Sequence, residues 1–245
     1  MKVAIMQPYI FPYIGYFQLI NYVDKWVIFD DTQYISKGWI NRNRMVHPDV
    51  KKEWQYFTVP VKKHSRESKI NHIEINNNVD WRGEFLRKLE GAYKKKAPYY
   101  RETISFVEEC IDFRASSLSE WIEHTLKFTC DYLDIAFDYL VFSKMNIGLK
   151  EVDHAGQWAL EIADAMGAAE YVNPAGGYTI FNESEFQSRN IKLRFLKPQL
   201  NPYVQRRGYF VPGLSIVDVL MWNDKEYIVS ILDDYDVFSY QELIG

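Results

Sequence analysis

The residues whose types and spacing best suit chemistry begin with two adjacent carboxylates, Asp30 and Asp31, placed directly after the apolar run of residues 26–29. At the mouth of a buried strand such a pair can bind ribose or sugar hydroxyls, hold Mg²⁺ or act as a general base. Asp31, beside Thr32, equally reads as the cap of the loop that follows. We assign Asp30 the orientation of a hydroxyl or a metal. His154 takes the role of base, because imidazole is the side chain best matched to proton transfer near neutral pH. Arg42 and Arg44 present the planar forks that suit phosphate oxygens, with Trp39 close by in sequence. Asn173 offers an amide for hydroxyl recognition, and Gly176 lets a ligand approach the backbone. Gln7, Tyr13, Gly15 and Tyr16 complete the binding set.

These residues can act together only if the chain brings them to one edge, and its hydrophobic pattern supplies such an edge. Residues 3–6 are short and continuously apolar, as in a buried parallel strand. Pro8 and Pro12 allow neither a ladder nor a helix between them, so the next stretch is a loop. From Gly15 onward, Tyr16, Leu19, Ile20 and Val23 recur at helical spacing. A second strand follows at residues 26–29. A strand, helix, strand unit of this length is a right-handed parallel crossover, which puts Gln7, Asp30 and Asp31 on one rim. The helix start at Gly15 then points its free N–H groups at the crevice above the sheet, where phosphates bind.

Two resemblances sharpen this picture. Pro12-Tyr13-Ile14-Gly15-Tyr16 resembles the Pro-x-x-Gly-His element of the nucleotidylyltransferase and class I aminoacyl-tRNA synthetase superfamily, with tyrosine at both histidine positions. The superfamily's phosphate-donating imidazoles are therefore replaced by neutral hydroxyls, and that likeness implies fold alone. A closer resemblance, to the WbqC-like family of bacterial proteins, rests on four segments in order: residues 7–17, Asp30-Asp-Thr-Gln-Tyr34 with Trp39-Ile-Asn-Arg-Asn-Arg44, Tyr171-Val-Asn-Pro-Ala-Gly176, and Leu214-Ser-Ile-Val-Asp-Val-Leu220. It implies a place in surface-polysaccharide (O-antigen) biosynthesis and transfer of an acyl or aminoacyl group to a sugar. The alternatives are a nucleotide-sugar or glycan binding protein without chemistry, and a nucleotidyltransferase.

The composition is that of an ordinary globular protein: 245 residues, 47% apolar, 25% charged, net charge −4. Its acidic balance argues against a nucleic-acid partner, even though residues 37–69 carry nine Lys or Arg against three acidic residues. That basic stretch reads instead as a lip for the diphosphate of a nucleotide or nucleotide-sugar, with Lys51, Lys52, Lys62 and Lys63 as plain solvated charge. The aromatic share of 16% serves the core first and stacking on sugars or bases second. Cys110 and Cys130 read as buried free thiols with no metal-ligand spacing, and no metal site is assigned. No signal peptide or membrane span is legible, so a cytoplasmic location is expected. The cofactor stays open, a nucleotide with Mg²⁺ being the one such a site would take, and so does the oligomeric state.

The remaining pattern predicts one α/β domain over residues 1–245: a Rossmann-like, mostly parallel sheet of about five strands with an antiparallel β-ribbon and a helical insertion. The ribbon is expected around residues 50–76, from strands at 53–59 and 70–75. The helices are expected around 80–134, with Ser117-Leu-Ser-Glu120 as a capping box. Residues 137–142 read as a strand leading into a Ser143-Lys144 loop, and 153–166 as an amphipathic helix. Residues 192–196 read as the last core strand, and 198–212 as a lid-like loop carrying Arg206 and Arg207. The acidic remainder reads as a terminal helix and tail.

Overall fold

The structure is a computed structural model and describes residues 1–149 and 151–244. Strand β1 (Lys2–Met6) buries Val3 and Ile5 on one face of the sheet and Ala4 on the other, the two-residue alternation of a strand covered on both sides. Helix α1 (Ile14–Tyr22) crosses over to β2 (Lys25–Ile28), which pairs in parallel with β1. A two-stranded antiparallel ribbon of β3 (Arg42–Val46) and β4 (Trp54–Thr58) follows. Next come α2 (Trp81–Tyr93), α3 (Tyr100–Asp112) and α4 (Leu118–Tyr132). The chain returns through β5 (Tyr139–Val141), α5 (Ala155–Ala165), β6 (Glu170–Pro174), α6 (Glu183–Ser188) and β7 (Lys192–Pro198). It closes with α7 (Ile216–Trp222), α8 (Lys225–Ser230), β8 (Tyr235–Ser239) and α9 (Tyr240–Ile244).

The main sheet runs β5-β2-β1-β6-β7-β8, parallel throughout except for the antiparallel β7–β8 pair. Helices α1 and α5 cover opposite faces, because Phe17, Leu19 and Ile20 join the cluster around Ala4, whereas Leu160, Ile162 and Ala163 join that around Val3. Helices α2, α3 and α4 lie on the α1 side and share its core. The expected ends hold: the Asp80 carboxylate caps α2 by accepting from Gly83 N–H, and the Ser117 hydroxyl caps α4 by accepting from Glu120 N–H. Among the described residues no helix is long and apolar enough to cross a membrane.

Phe11 joins these parts. Its ring lies within 5.9–6.5 Å of Phe57 on the ribbon, Phe85 on α2, Phe106 on α3 and Trp121 on α4. To reach them its backbone adopts φ 36°, a left-handed conformation that costs a bulky residue on the order of 1–3 kcal/mol. Three hydrogen bonds stabilise the bend: Asn43 Nδ2 donates to the Ile10 and Phe11 carbonyls at 3.0 Å, and the Ser215 hydroxyl to Phe11 at 2.7 Å.

The structure corrects three expectations. The ribbon pairs residues 42–46 with 54–58, so its first strand lies before the expected region. Residues 70–75 form no strand: Ile70–His72 make a 3-10 turn, with Ile70 and Asn71 donating to the Thr32 and Asp30 carbonyls of the loop after β2, and Glu74 and Ile75 make only isolated bridges, to Ser117 and Val61. The sheet has a sixth strand, β8, where a helix and tail were expected; Val237 and Phe238 there pair with Leu196 and Phe195.

Candidate functional site

β1 sits between β2 and β6, and the helices that follow β1 and precede β6 cover opposite faces. The order reverses between β1 and β6, and in open α/β sheets ligands bind at such a point, beyond the carboxyl ends of the strands. A cleft of about 500 Å³ opens there. Its floor is Met6 at the end of β1, Pro174 at the end of β6 and Gly176 just past it. One wall is the tyrosine-rich bend, Tyr9, Pro12, Tyr13 and Tyr16; the other is Trp39 with Asn43 and Arg44 of β3, closed by Gly213.

Arg44 is the cleft's charged group. Its guanidinium lies over the Trp39 ring at 5.2 Å and the Trp54 ring at 5.4 Å, cation–π contacts that hold the fork flat. One Nη donates to the Gly213 carbonyl at 3.1 Å, while Nε–H is buried without a partner. No carboxylate of the described residues lies within ion-pair distance of it. Gly213 holds φ 64°, which a glycine adopts without strain. Sequence reasoning missed Tyr9 and Asn43; besides holding the bend, Asn43 Oδ1 accepts from Arg44 N–H at 2.8 Å, so one side chain locks both walls. The signals for Asn43 in the chain were its place between two arginines and in a segment that carries the family resemblance.

Burial raises the phenol pKa values of Tyr9, Tyr13 and Tyr16, so all three stay neutral at pH 7. Tyr16 spends its hydroxyl on the Gln7 carbonyl at 2.9 Å, which is the contact Gln7 makes to the site. The hydroxyls of Tyr9 and Tyr13 have no partner among the described residues and stay free for a ligand.

Of the other expected residues, Trp39, Arg44, Tyr13, Tyr16 and Gly176 meet at the cleft, and several do not. Asp30 is 2% exposed, and its carboxylate accepts from Ser143 N–H at 2.9 Å and the Ser143 hydroxyl at 2.6 Å, so it pins the loop after β5. Asp31 pairs with Lys69 at 2.7 Å and accepts from Asn71 at 3.1 Å, as a loop cap does. Gly15 packs against Pro198: a Cβ there would sit 2.8 Å from the proline ring and 2.5 Å from the Tyr13 ring. The start of α1 is flanked by protein as well, with Ile216 N–H donating to the Pro12 carbonyl. Arg42 turns to the Gly38 and Lys37 carbonyls and the Tyr56 ring. Asn173 is buried against Tyr171 and the Pro174 carbonyl, where it shapes the floor from beneath.

His154 stands at the start of α5, its Nε2 3.1 Å from both carboxylate oxygens of Glu185. The turn of residues 175–180 separates it from the cleft: Gly176 lines the cleft, while the Ile180 carbonyl packs on Gly156. Among the described residues no three His, Cys, Asp or Glu side chains gather as a metal-holding group.

Fold and site together define an α/β protein of doubly wound type with an aromatic, singly cationic cleft at its switch point. The chain belongs to the WbqC-like protein family, whose model matches residues 7–229. It is also similar to "Uncharacterized protein Rv1507c" of Mycobacterium tuberculosis (strain ATCC 25618 / H37Rv), with 28% identity over 231 residues, 89% of this chain and 92% of that protein. No solved structure matches the chain significantly.

Proposed function

We propose that this protein binds a sugar ligand of surface-polysaccharide (O-antigen) biosynthesis in the cleft, supplied as a nucleotide-sugar, and transfers an acyl or aminoacyl group to it. One observation carries the binding step: Arg44, stacked on two tryptophans and without a carboxylate partner, inside a cleft of tyrosines and tryptophan. A half-buried guanidinium without a counter-ion is costly unless an anion completes it. Tyrosine and tryptophan faces suit the apolar face of a pyranose, and the free hydroxyls of Tyr9 and Tyr13 suit its oxygens.

For transfer, a sugar hydroxyl or amine attacks the acyl carbon, the donor's leaving group departs with its electron pair, and the nucleophile's proton passes to a base. The neutral phenols of the cleft are poor bases. An acid–base pair beside the same turn is His154 with Glu185, which serves if residues 175–180 shift. The absence of any carboxylate or imidazole from the described cleft lining favours a second reading, binding without chemistry.

Melting the protein with a panel of nucleotides and nucleotide-sugars, with and without Mg²⁺, tests the binding step. A ligand present at 100 times its Kd stabilises by about 2.7 kcal/mol, so a nucleotide-sugar should raise Tm by several degrees. A panel that leaves Tm unmoved contradicts the reading. Product formed from an acyl donor by the wild type, and lost in His154→Ala, separates transfer from binding alone.

A further inference from the structure

Resting on the reading of the cleft as a sugar site, we infer that the anion seated on Arg44 is a single carboxylate carried by the sugar itself, as in a uronic acid, rather than a phosphate or diphosphate. The charge of the site is the first reason. Among the described residues that line the cleft, Arg44 alone is charged at pH 7, and Tyr9 and Tyr13 add neutral donors. One positive charge balances one carboxylate, whereas a phosphomonoester or a diphosphate brings about two negative charges and more acceptor oxygens than these donors fill.

The second reason is that the usual phosphate seat is closed. Phosphates at a switch point rest on the open N-terminus of the first helix. Here the chain of α7's entry lies against it: Tyr13 is bridged to Ser215, and Ile216 N–H donates to the Pro12 carbonyl at 2.8 Å. Gly15, which would have to admit a phosphate, faces the Tyr13 ring and Pro198 instead. The third reason is the fork itself. With both tryptophan faces packed on it and one Nη on Gly213, the guanidinium is fixed in one plane, which suits a planar carboxylate. A free amino acid is a poorer fit, since no carboxylate of the described lining meets its ammonium group. A nucleotidyl diphosphate, when the sugar carries one, then lies outside the cleft.

The test compares small sugars on the wild type, Arg44→Gln and Arg44→Lys by thermal melting at constant ionic strength, each titrated to about 100 mM. The probes are sodium D-glucuronate, sodium D-galacturonate, D-glucose and D-glucose 1-phosphate, with UDP-glucose as a further arm. At least one uronate should stabilise the wild type saturably. Its half-saturation should lie at least tenfold below that of D-glucose and of D-glucose 1-phosphate, and the effect should vanish in Arg44→Gln. Arg44→Lys keeps the charge without the fork, and should fold as the wild type does while binding the uronate several-fold more weakly. Uronates that fail to stabilise, or that act equally on the wild type and on both variants, overturn the inference. Stabilisation by D-glucose 1-phosphate or UDP-glucose without any by uronates overturns it and leaves the sugar site standing; silence across all probes removes both.

Discussion

Arg44 and Asp30 show at the residue scale why similar charged side chains meet different fates. Both were singled out by charge and position in the chain. Asp30 is consumed by Ser143, 113 residues away in the chain, whereas Arg44 meets only aromatic faces and a carbonyl. Residue type and spacing were enough to single out Tyr13, Tyr16, Trp39, Arg44 and Gly176. Whether a polar group is already satisfied depends on distant partners, and local pattern does not carry that. The same limit hid Asp218, which is fully buried and accepts from Tyr93 at 2.5 Å, Tyr203 at 2.6 Å and Gln205 at 3.0 Å.

Burial pushes the Asp218 carboxyl above its ordinary 3.8, against the lowering effect of those hydrogen bonds. A carboxyl with a higher pKa folded than unfolded binds more protons in the native state between the two values, so stability falls as pH rises through that window. Asp218→Asn removes the titration. Urea unfolding at a series of pH values should show the wild type losing stability relative to the variant from about pH 3.8 upward. The difference should level off above the raised value. A difference that stays constant, or that moves in favour of the wild type with rising pH, contradicts the account.

At the scale of elements, the first strand, loop and helix were legible because each has its own local signal: an apolar run, two prolines and a 3.6-residue repeat. The ribbon was not. Its strands alternate well enough, yet the partner of residues 54–58 was decided by which neighbour buries Phe57 against Phe11 and Phe85. The Asp30 and Thr32 carbonyls drew residues 70–71 away from any ladder. The strand β8 was masked by its acidic flanks.

Gly15 gives a test at this scale. In an open helix Gly→Ala stabilises by roughly 0.5–1 kcal/mol. Here the added Cβ would stand 2.8 Å from Pro198 and 2.5 Å from the Tyr13 ring, so Gly15→Ala should destabilise by about 1–3 kcal/mol and weaken ligand binding through displaced Tyr13. Urea unfolding measures the first effect and ligand titration the second. A variant as stable as the wild type, or more stable, would show that α1 does not pack on β7 this closely.

For the whole molecule, the layered architecture follows from alternating strand and helix patterns, and with it the rule that a ligand sits where the strand order reverses. The sequence named the bend near the amino terminus as one side of that place. It did not reveal that the ribbon and the stretch around Gly213 form the other, since three remote segments meet there through tertiary contacts such as those of Phe11, Asn43 and Ser215. The central claim is that this meeting point recognises an anionic sugar ligand through Arg44. Calorimetric titration of the wild type and Arg44→Gln with the most strongly stabilising carboxylate-bearing sugar, free or as its nucleotide-sugar, tests it directly, once circular dichroism has shown both proteins folded. Loss of a charge-assisted contact of about 1.5–3 kcal/mol should weaken Kd at least tenfold in the variant. Equal affinity in the two proteins would place the ligand elsewhere.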